Sequence, residues 1–164
     1  MKAIILNLLA WSILPIMDGF AKFLSIEMPV IQVIWARYFF MVLITVPIYL
    51  IISKNKFLVP KNLSIQLLRS IFLFLSTVCF FYAISVLSLA EALTLAFVYP
   101  MISTLLSSII LKEKVGPNRW IAVIIGFLGA IIVLRPGINI IHLASFAGLG
   151  TGFAYALYVI STKK

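Results

Sequence analysis

Ionisable side chains are scarce in this sequence. Only 10% of its 164 residues are charged, and just four of them are Asp or Glu. A water-soluble domain has about a quarter of its residues charged, so this composition excludes a soluble fold. The few acids include no pair at catalytic spacing, and no Ser/His/Asp set accompanies them. Nothing in the sequence therefore indicates an enzyme or a bound cofactor.

Disulfide partners and metal ligands are missing as well. Cys79 is the only cysteine, so no internal disulfide can form and the redox compartment stays open. His142 is the only histidine and has no Cys, Asp or Glu beside it, so we interpret it as a loop residue and predict no metal site. Three alternate glycines, Gly148, Gly150 and Gly152, lie in an apolar stretch and follow no strand, which excludes a nucleotide-binding loop.

Apolar residues are abundant, at 64% of the chain, and they fall into six runs. Each run has about 17–24 residues, enough to cross a ~30 Å hydrocarbon layer as a helix. The sequence therefore predicts an all-α, polytopic transmembrane bundle with short connections. The predicted spans are Lys2–Gly19, Val30–Ile52, Ser64–Leu87, Ala90–Leu111, Asn118–Leu134 and Leu143–Ser161.

Basic residues alternate between the two sides of these spans. Of thirteen Lys and Arg, ten fall at one side, only Lys22 and Arg135 fall at the other, and Arg37 lies inside a span. This bias predicts that both termini are cytoplasmic. The net charge of +9 then reflects orientation and anionic lipid, and we expect no nucleic-acid partner. The first span resembles a signal peptide, but without a convincing cleavage site we interpret it as a retained helix.

Small residues occur at regular spacing within the spans. Small residues recur every four positions in the last two spans, a spacing that favours close helix packing in lipid over a substrate-facing backbone. They are Ala122, Gly126 and Ala130, and then Ala144, Gly148, Gly152 and Ala156.

Three prolines lie inside the predicted spans, and each can kink its helix. They are Pro15, Pro47 and Pro100. Pro100 lies near the predicted midplane, where a kink could expose a carbonyl to a cavity or serve packing alone.

Three charges are predicted in the outer half of the membrane. Arg37 lies ~12 Å inside the second span, and a charge at such depth usually pairs or lines a wet cavity. Asp18 and Glu91 lie near the outer ends of the first and fourth spans, where they could pair with Arg37 or simply extend to water. We expect Arg37, Asp18 and Glu91 to bind or gate a substrate, with Trp11 and Tyr99 as cavity aromatics or ordinary packing residues.

Several short motifs of the third, fourth and fifth spans occur together in one known family. They are Leu68-Arg69, Tyr82-Ala83, Ala90-Glu-Ala92, Pro100, Leu111-x-Glu113, Arg119-Trp120, Gly126-Phe-x-Gly129 and Leu134-Arg-Pro-Gly137. Arg37 in the second span fits the same pattern. With these motifs the chain resembles the EamA family of the drug/metabolite transporter superfamily, in particular the subgroup of S-adenosylmethionine uptake permeases.

The resemblance implies two five-helix repeats of inverted topology in the inner membrane. Residues 1–137 would form the first repeat, and residues 138–164 the first helix of the second repeat. We expect an N-terminal part of a secondary transporter that moves a small organic metabolite by alternating access. The alternative is a non-transporting assembly subunit or inactive fragment that pairs through small-residue faces. Its partners would be the lipid bilayer, a metabolite, and a second copy or a second repeat.

The charge distribution makes a prediction about topology. Reporter fusions after Ile52, Leu111 and Lys164 should report a cytoplasmic location, because the basic connections stay on that side. Fusions after Glu27, Leu87 and Ile138 should report the opposite side. A cytoplasmic signal at Ile138 would contradict the predicted number of spans.

Overall fold

The computed structural model describes residues 2–52, 62–112, 115–134 and 143–163, apart from a few side chains that include Trp11. Every regular element in these ranges is an α-helix. The fourth predicted span is divided into two helices, α4 and α5. The helices are α1 (Lys2–Glu27), α2 (Val30–Ile52), α3 (Leu63–Val86), α4 (Leu89–Ala96), α5 (Tyr99–Ile110), α6 (Pro117–Leu134) and α7 (Leu143–Lys163).

The described helices confirm the predicted transmembrane bundle. Five helical segments in these ranges are long and apolar enough to cross a membrane, with α4 and α5 counted as one segment. The 18-residue α6 has nearly the bounds predicted for the fifth span. The main difference is α1, which continues to Glu27 beyond its predicted end at Gly19. Lys22 lies within this extension, and its ammonium group donates to carbonyls at the C-terminal end of α3.

The centre of the bundle is an antiparallel pair formed by α3 and α7. Ser76 on α3 donates to the carbonyl of Thr151 on α7 over 3.1 Å, and both residues are buried. Arg69, earlier on α3, contacts Tyr158, which comes later on α7, so the two helices run in opposite directions. The sequence explains this close pairing, because α7 presents alanine and glycine to α3, α4 and α5.

The small residues of α7 pack as predicted. A β-carbon added at Gly148 would lie 2.8 Å from the side chain of Leu95. One added at Gly152 would lie 2.9 Å from the carbonyl oxygen of Ala96 and 3.2 Å from the amide nitrogen of Tyr99. Backbone therefore meets backbone at Gly152. The corresponding ladder on α6 differs, since a β-carbon at Gly126 or Gly129 would meet nothing within 4 Å.

The division between α4 and α5 lies just before Pro100. Proline has no N–H group, so it cannot donate to the carbonyl of Ala96 four residues earlier. The amide of Phe97 instead shares the carbonyls of Leu93 and Thr94 at 2.9 and 3.1 Å, and α5 restarts at Tyr99. Pro15 and Pro47 lie within continuous helices. Only the third of these prolines accompanies a helix break.

The packing of Gly152 leads to a stability prediction. In Gly152→Ala the new methyl group would overlap the carbonyl oxygen of Ala96, which is backbone and cannot rotate away. Overpacking costs about 1–3 kcal/mol, partly offset by the ~1 kcal/mol gain in helix propensity. We expect a lower midpoint in thermal unfolding of the detergent-solubilised chain.

Gly150→Ala is the matched control on the same helix. A β-carbon there would lie 3.6 Å from the sulfur of Cys79, an ordinary contact. This variant should unfold at the wild-type temperature or slightly above it. If Gly152→Ala were as stable as Gly150→Ala, the close approach of α7 to the helix break would be wrong.

Candidate functional site

A cavity of about 380 Å³ lies between α1 and α2 and reaches α3. Most of its wall is apolar, and Arg37 is the one charged side chain among the described residues that line it. Phe20 and Met17 line it from α1, Gln32 and Phe40 from α2, and Phe81 from α3. We call it the outer groove, because α1 ends and α2 begins at this end of the bundle, which the charge distribution predicts to be extracytoplasmic.

Arg37 is half-buried and lies against an aromatic ring. Its guanidinium carbon is 5.1 Å from the centroid of Phe81, a distance typical of a cation–π contact. Arg37 also interacts electrostatically with Asp18 on α1, although it forms no direct ion pair with a carboxylate in the described ranges. A guanidinium has five N–H donors, so a contact with one ring leaves donors for a further partner.

Asp18 is the acid that the structure brings near Arg37. It is half-buried on α1, the helix that lines the other side of the outer groove. The two side chains attract each other without forming a direct ion pair in the described ranges. A carboxylate entering the groove could therefore bind Arg37 directly while Asp18 stays in place.

Glu91 has a different set of contacts. Its carboxylate accepts hydrogen bonds from the amide and hydroxyl of Ser88 at 2.9 and 2.8 Å, and the Glu91 amide donates to that hydroxyl at 3.2 Å. This capping box begins α4, where a negative charge also favours the helix dipole. The sequence contains the signal for it, a serine followed three residues later by glutamate, and the contact corresponds to the helix-end alternative for Glu91.

Lys22 is a residue whose position the sequence did not indicate. Its ammonium group donates to the carbonyls of Ile84 and Leu87 at 2.6 and 2.9 Å, so it caps the C-terminus of α3 from a different helix. It also interacts electrostatically with Glu91. The tight turn between α3 and α4 thus has a positive charge at the helix that ends and a negative charge at the helix that begins.

The remaining predicted residues lie elsewhere. Tyr99 contacts Tyr155 of α7, with ring centroids 4.9 Å apart and the planes at 81°. Pro100 lines a second cavity of about 460 Å³ between the helix break and α6, together with Phe97 and Arg119. The side chain of Trp11 lies outside the described residues, as do His142 and the residues 135–137 of the Arg-Pro-Gly motif.

Comparison with known proteins supports the resemblance. The model of the EamA-like transporter family matches residues 1–135. The chain belongs to this family. With its apolar helices and bacterial relatives, this EamA-like protein is a multi-pass protein of the bacterial inner membrane. No solved structure matches it.

The relatives of this EamA-like chain are named as transporters. It is 24% identical to the S-adenosylmethionine uptake transporter of Rickettsia prowazekii, over 80% of this chain and 46% of that protein. It is 27% identical to the riboflavin transporter of Vibrio cholerae, over 91% and 51%. It is also 27% identical to the pseudopaline exporter of Pseudomonas aeruginosa, over 82% and 47%. The chain spans about half the length of these relatives.

The contacts of Lys22 predict a stability effect. Lys22→Met should lower the free energy of unfolding by about 1–3 kcal/mol, because two carbonyls of α3 would lose their charged donor. Thermal unfolding in detergent is the measurement, and Lys112→Met, at an exposed lysine, is the control. A Lys22→Met midpoint within about 1 °C of wild type would show that the cap contributes nothing.

Proposed function

We propose that this chain forms one half of a secondary transporter that moves a small organic metabolite across the inner membrane by alternating access. The observation that carries the proposal is the outer groove, an apolar cavity with a half-buried arginine inside a membrane-spanning bundle. A charge at this depth is costly unless it has a partner or a wet cavity. The groove supplies the cavity, and a transported anion would supply the partner.

Arg37 is the proposed substrate-binding residue. Its guanidinium can donate two parallel hydrogen bonds to a carboxylate, which a lysine ammonium cannot match. Asp18 acts as the competing internal anion. It attracts Arg37 while the groove is empty. A bound substrate carboxylate then replaces Asp18 as the anion with which Arg37 interacts. This exchange offers a way to couple occupancy of the groove to the positions of α1 and α2.

The helix break is the proposed moving element. Pro100 leaves the carbonyl of Ala96 without its normal donor, and α4 and α5 meet there with few helical hydrogen bonds across the junction. Interrupted helices are a common feature of transporters, because they can bend and expose backbone to a cavity. The contact with Gly152 transmits such a bend to α7. We assign no chemical reaction on the substrate to this chain.

The second half of the transporter is part of the proposal. Residues 1–137 would form one repeat, and α7 would begin a second, inverted repeat supplied by further sequence or by another copy of the chain. The open face of α6 at Gly126 and Gly129 is suited to close contact with such a half. The named relatives include uptake transporters and an exporter, and they support the class of function without fixing cargo or direction.

Substitution of Arg37 tests the proposal. In cells that produce the full-length protein containing this chain, Arg37→Gln should lower substrate uptake or export by about tenfold or more, the effect of losing one charged hydrogen bond. Arg37→Lys should recover little, because the ammonium lacks the planar fork. Lys112→Gln, at an exposed position, should transport normally.

The pairing with Asp18 is tested by a double-mutant cycle. Asp18→Asn should change transport less in the Arg37→Gln background than in the wild type, because the two charges interact. Membrane levels are measured for every variant. Normal transport by Arg37→Gln at a normal protein level would overturn the assignment of the outer groove as the substrate site.

A further inference from the structure

Arg69 is a second half-buried arginine, at the opposite end of α3 from the outer groove. The guanidinium of Arg69 is 5.5 Å from the ring centroid of Tyr158 on α7. Tyr158 lies 5.5 Å from Tyr155, and Tyr155 lies 4.9 Å from Tyr99 at the helix break. Arg69 and the three tyrosines form a continuous row from the basic end of α3 to the junction of α4 and α5. We call this row the tyrosine ladder.

The polar atoms of the ladder lack partners among the residues that the structure describes. None of those residues accepts a hydrogen bond from the hydroxyl of Tyr99, Tyr155 or Tyr158, although Tyr38 donates to Thr77 at 3.0 Å. All four ladder residues are half-buried. Buried polar groups normally have partners, so this partly shielded guanidinium and the three hydroxyls are available to a group from outside the chain.

Among the described residues, Arg69 has no acidic partner. The acids in these ranges are Asp18 and Glu27 in the second half of α1 and Glu91 in the first turn of α4, all towards the other end of the bundle. Arg69 is separated from Phe81, the ring in contact with Arg37, by ~18 Å along α3. Within the described ranges, Arg69 therefore stands in the other half of the membrane with an aromatic contact and no acid beside it.

We propose that the tyrosine ladder is a second binding station for a small organic anion with a planar body. Arg69 would bind the anionic group, the tyrosine hydroxyls would donate to its remaining acceptors, and the rings would contact the planar part. The proposal rests on the transport function proposed above and adds to it. It places two arginines on one path, Arg37 in the outer half and Arg69 in the other half.

Binding of 2-naphthoate to the purified chain in phosphatidylcholine nanodiscs tests the proposal. The neutral compound 2-naphthamide is measured in parallel, so that partition into the lipid can be subtracted. Measurements are made in the Arg37→Gln background, so that only the ladder remains. We expect saturable binding of the anion there, weakened about tenfold or more by Arg69→Gln. Arg69→Lys should recover part of the affinity at most, because it keeps the charge and loses the planar group.

Two further variants separate binding from structure. Tyr158→Phe keeps the ring and removes the hydroxyl, and we expect it to weaken naphthoate binding about threefold while leaving the helical circular dichroism and unfolding midpoint at the wild-type values. Arg119→Gln, at an exposed arginine outside the ladder, should bind like its parent. Equal binding by Arg69→Gln and Arg119→Gln would overturn the proposal.

The same experiment distinguishes the other source of an anion, a lipid headgroup. A lipid site would give a different result: naphthoate would not bind in phosphatidylcholine, and added phosphatidylglycerol would stabilise the chain with Arg69 but not Arg69→Gln. In that case the ladder is a lipid site and the proposal is wrong. Loss of all binding in the Arg37→Gln background would also refute the ladder while leaving the outer groove intact. Binding that depends on Arg69 but not on Arg37 in the otherwise wild-type chain would support the ladder and refute the outer site.

Discussion

The contact of Gly152 with the backbone of Ala96 and Tyr99 is the constraint on which the rest of the structure depends. It requires a helix with small residues on one face, and α7 has them. It also requires an interruption between α4 and α5, which the missing amide of Pro100 provides. Because α7 lies this close, Tyr155 and Tyr158 reach Tyr99 and Arg69, and Ser76 reaches the backbone of Thr151. The helix break thus permits this packing interaction, and the ladder is its consequence.

Charged side chains stabilise the other end of the bundle, where α1 and α3 end and α4 begins. Lys22 and Glu91 neutralise the two helix ends that meet in the turn between α3 and α4. With these two charges engaged in structure, Arg37 lines the outer groove and interacts electrostatically with Asp18 on α1. Most of α1 and α2 is exposed apart from contacts near this end.

The sequence predicts the features that depend on the residues of a single helix, such as its apolar length and the spacing of its small residues. Apolar length determined the spans, and the spacing of small residues correctly predicted the packed face of α7. The capping box of Glu91 could also have been predicted from the sequence, because Ser88 stands three residues before it. Lys22 could not have been placed, since its acceptors belong to residues about sixty positions away and no periodic pattern records such a contact. The same limit applies to Arg69 and Tyr158, which only the antiparallel register of α3 and α7 brings together.

The central claim is that the outer groove opens to the extracytoplasmic side and holds an anion next to Arg37. It is tested most directly by thiol labelling of Phe40→Cys, a groove position, in a Cys79→Ser background that removes the only native cysteine. A membrane-impermeant maleimide added to the extracytoplasmic side should label this position, and 2-naphthoate should protect it in the chain with Arg37 but not in Arg37→Gln. Labelling that is absent, or that naphthoate leaves unchanged in both backgrounds, would contradict the account.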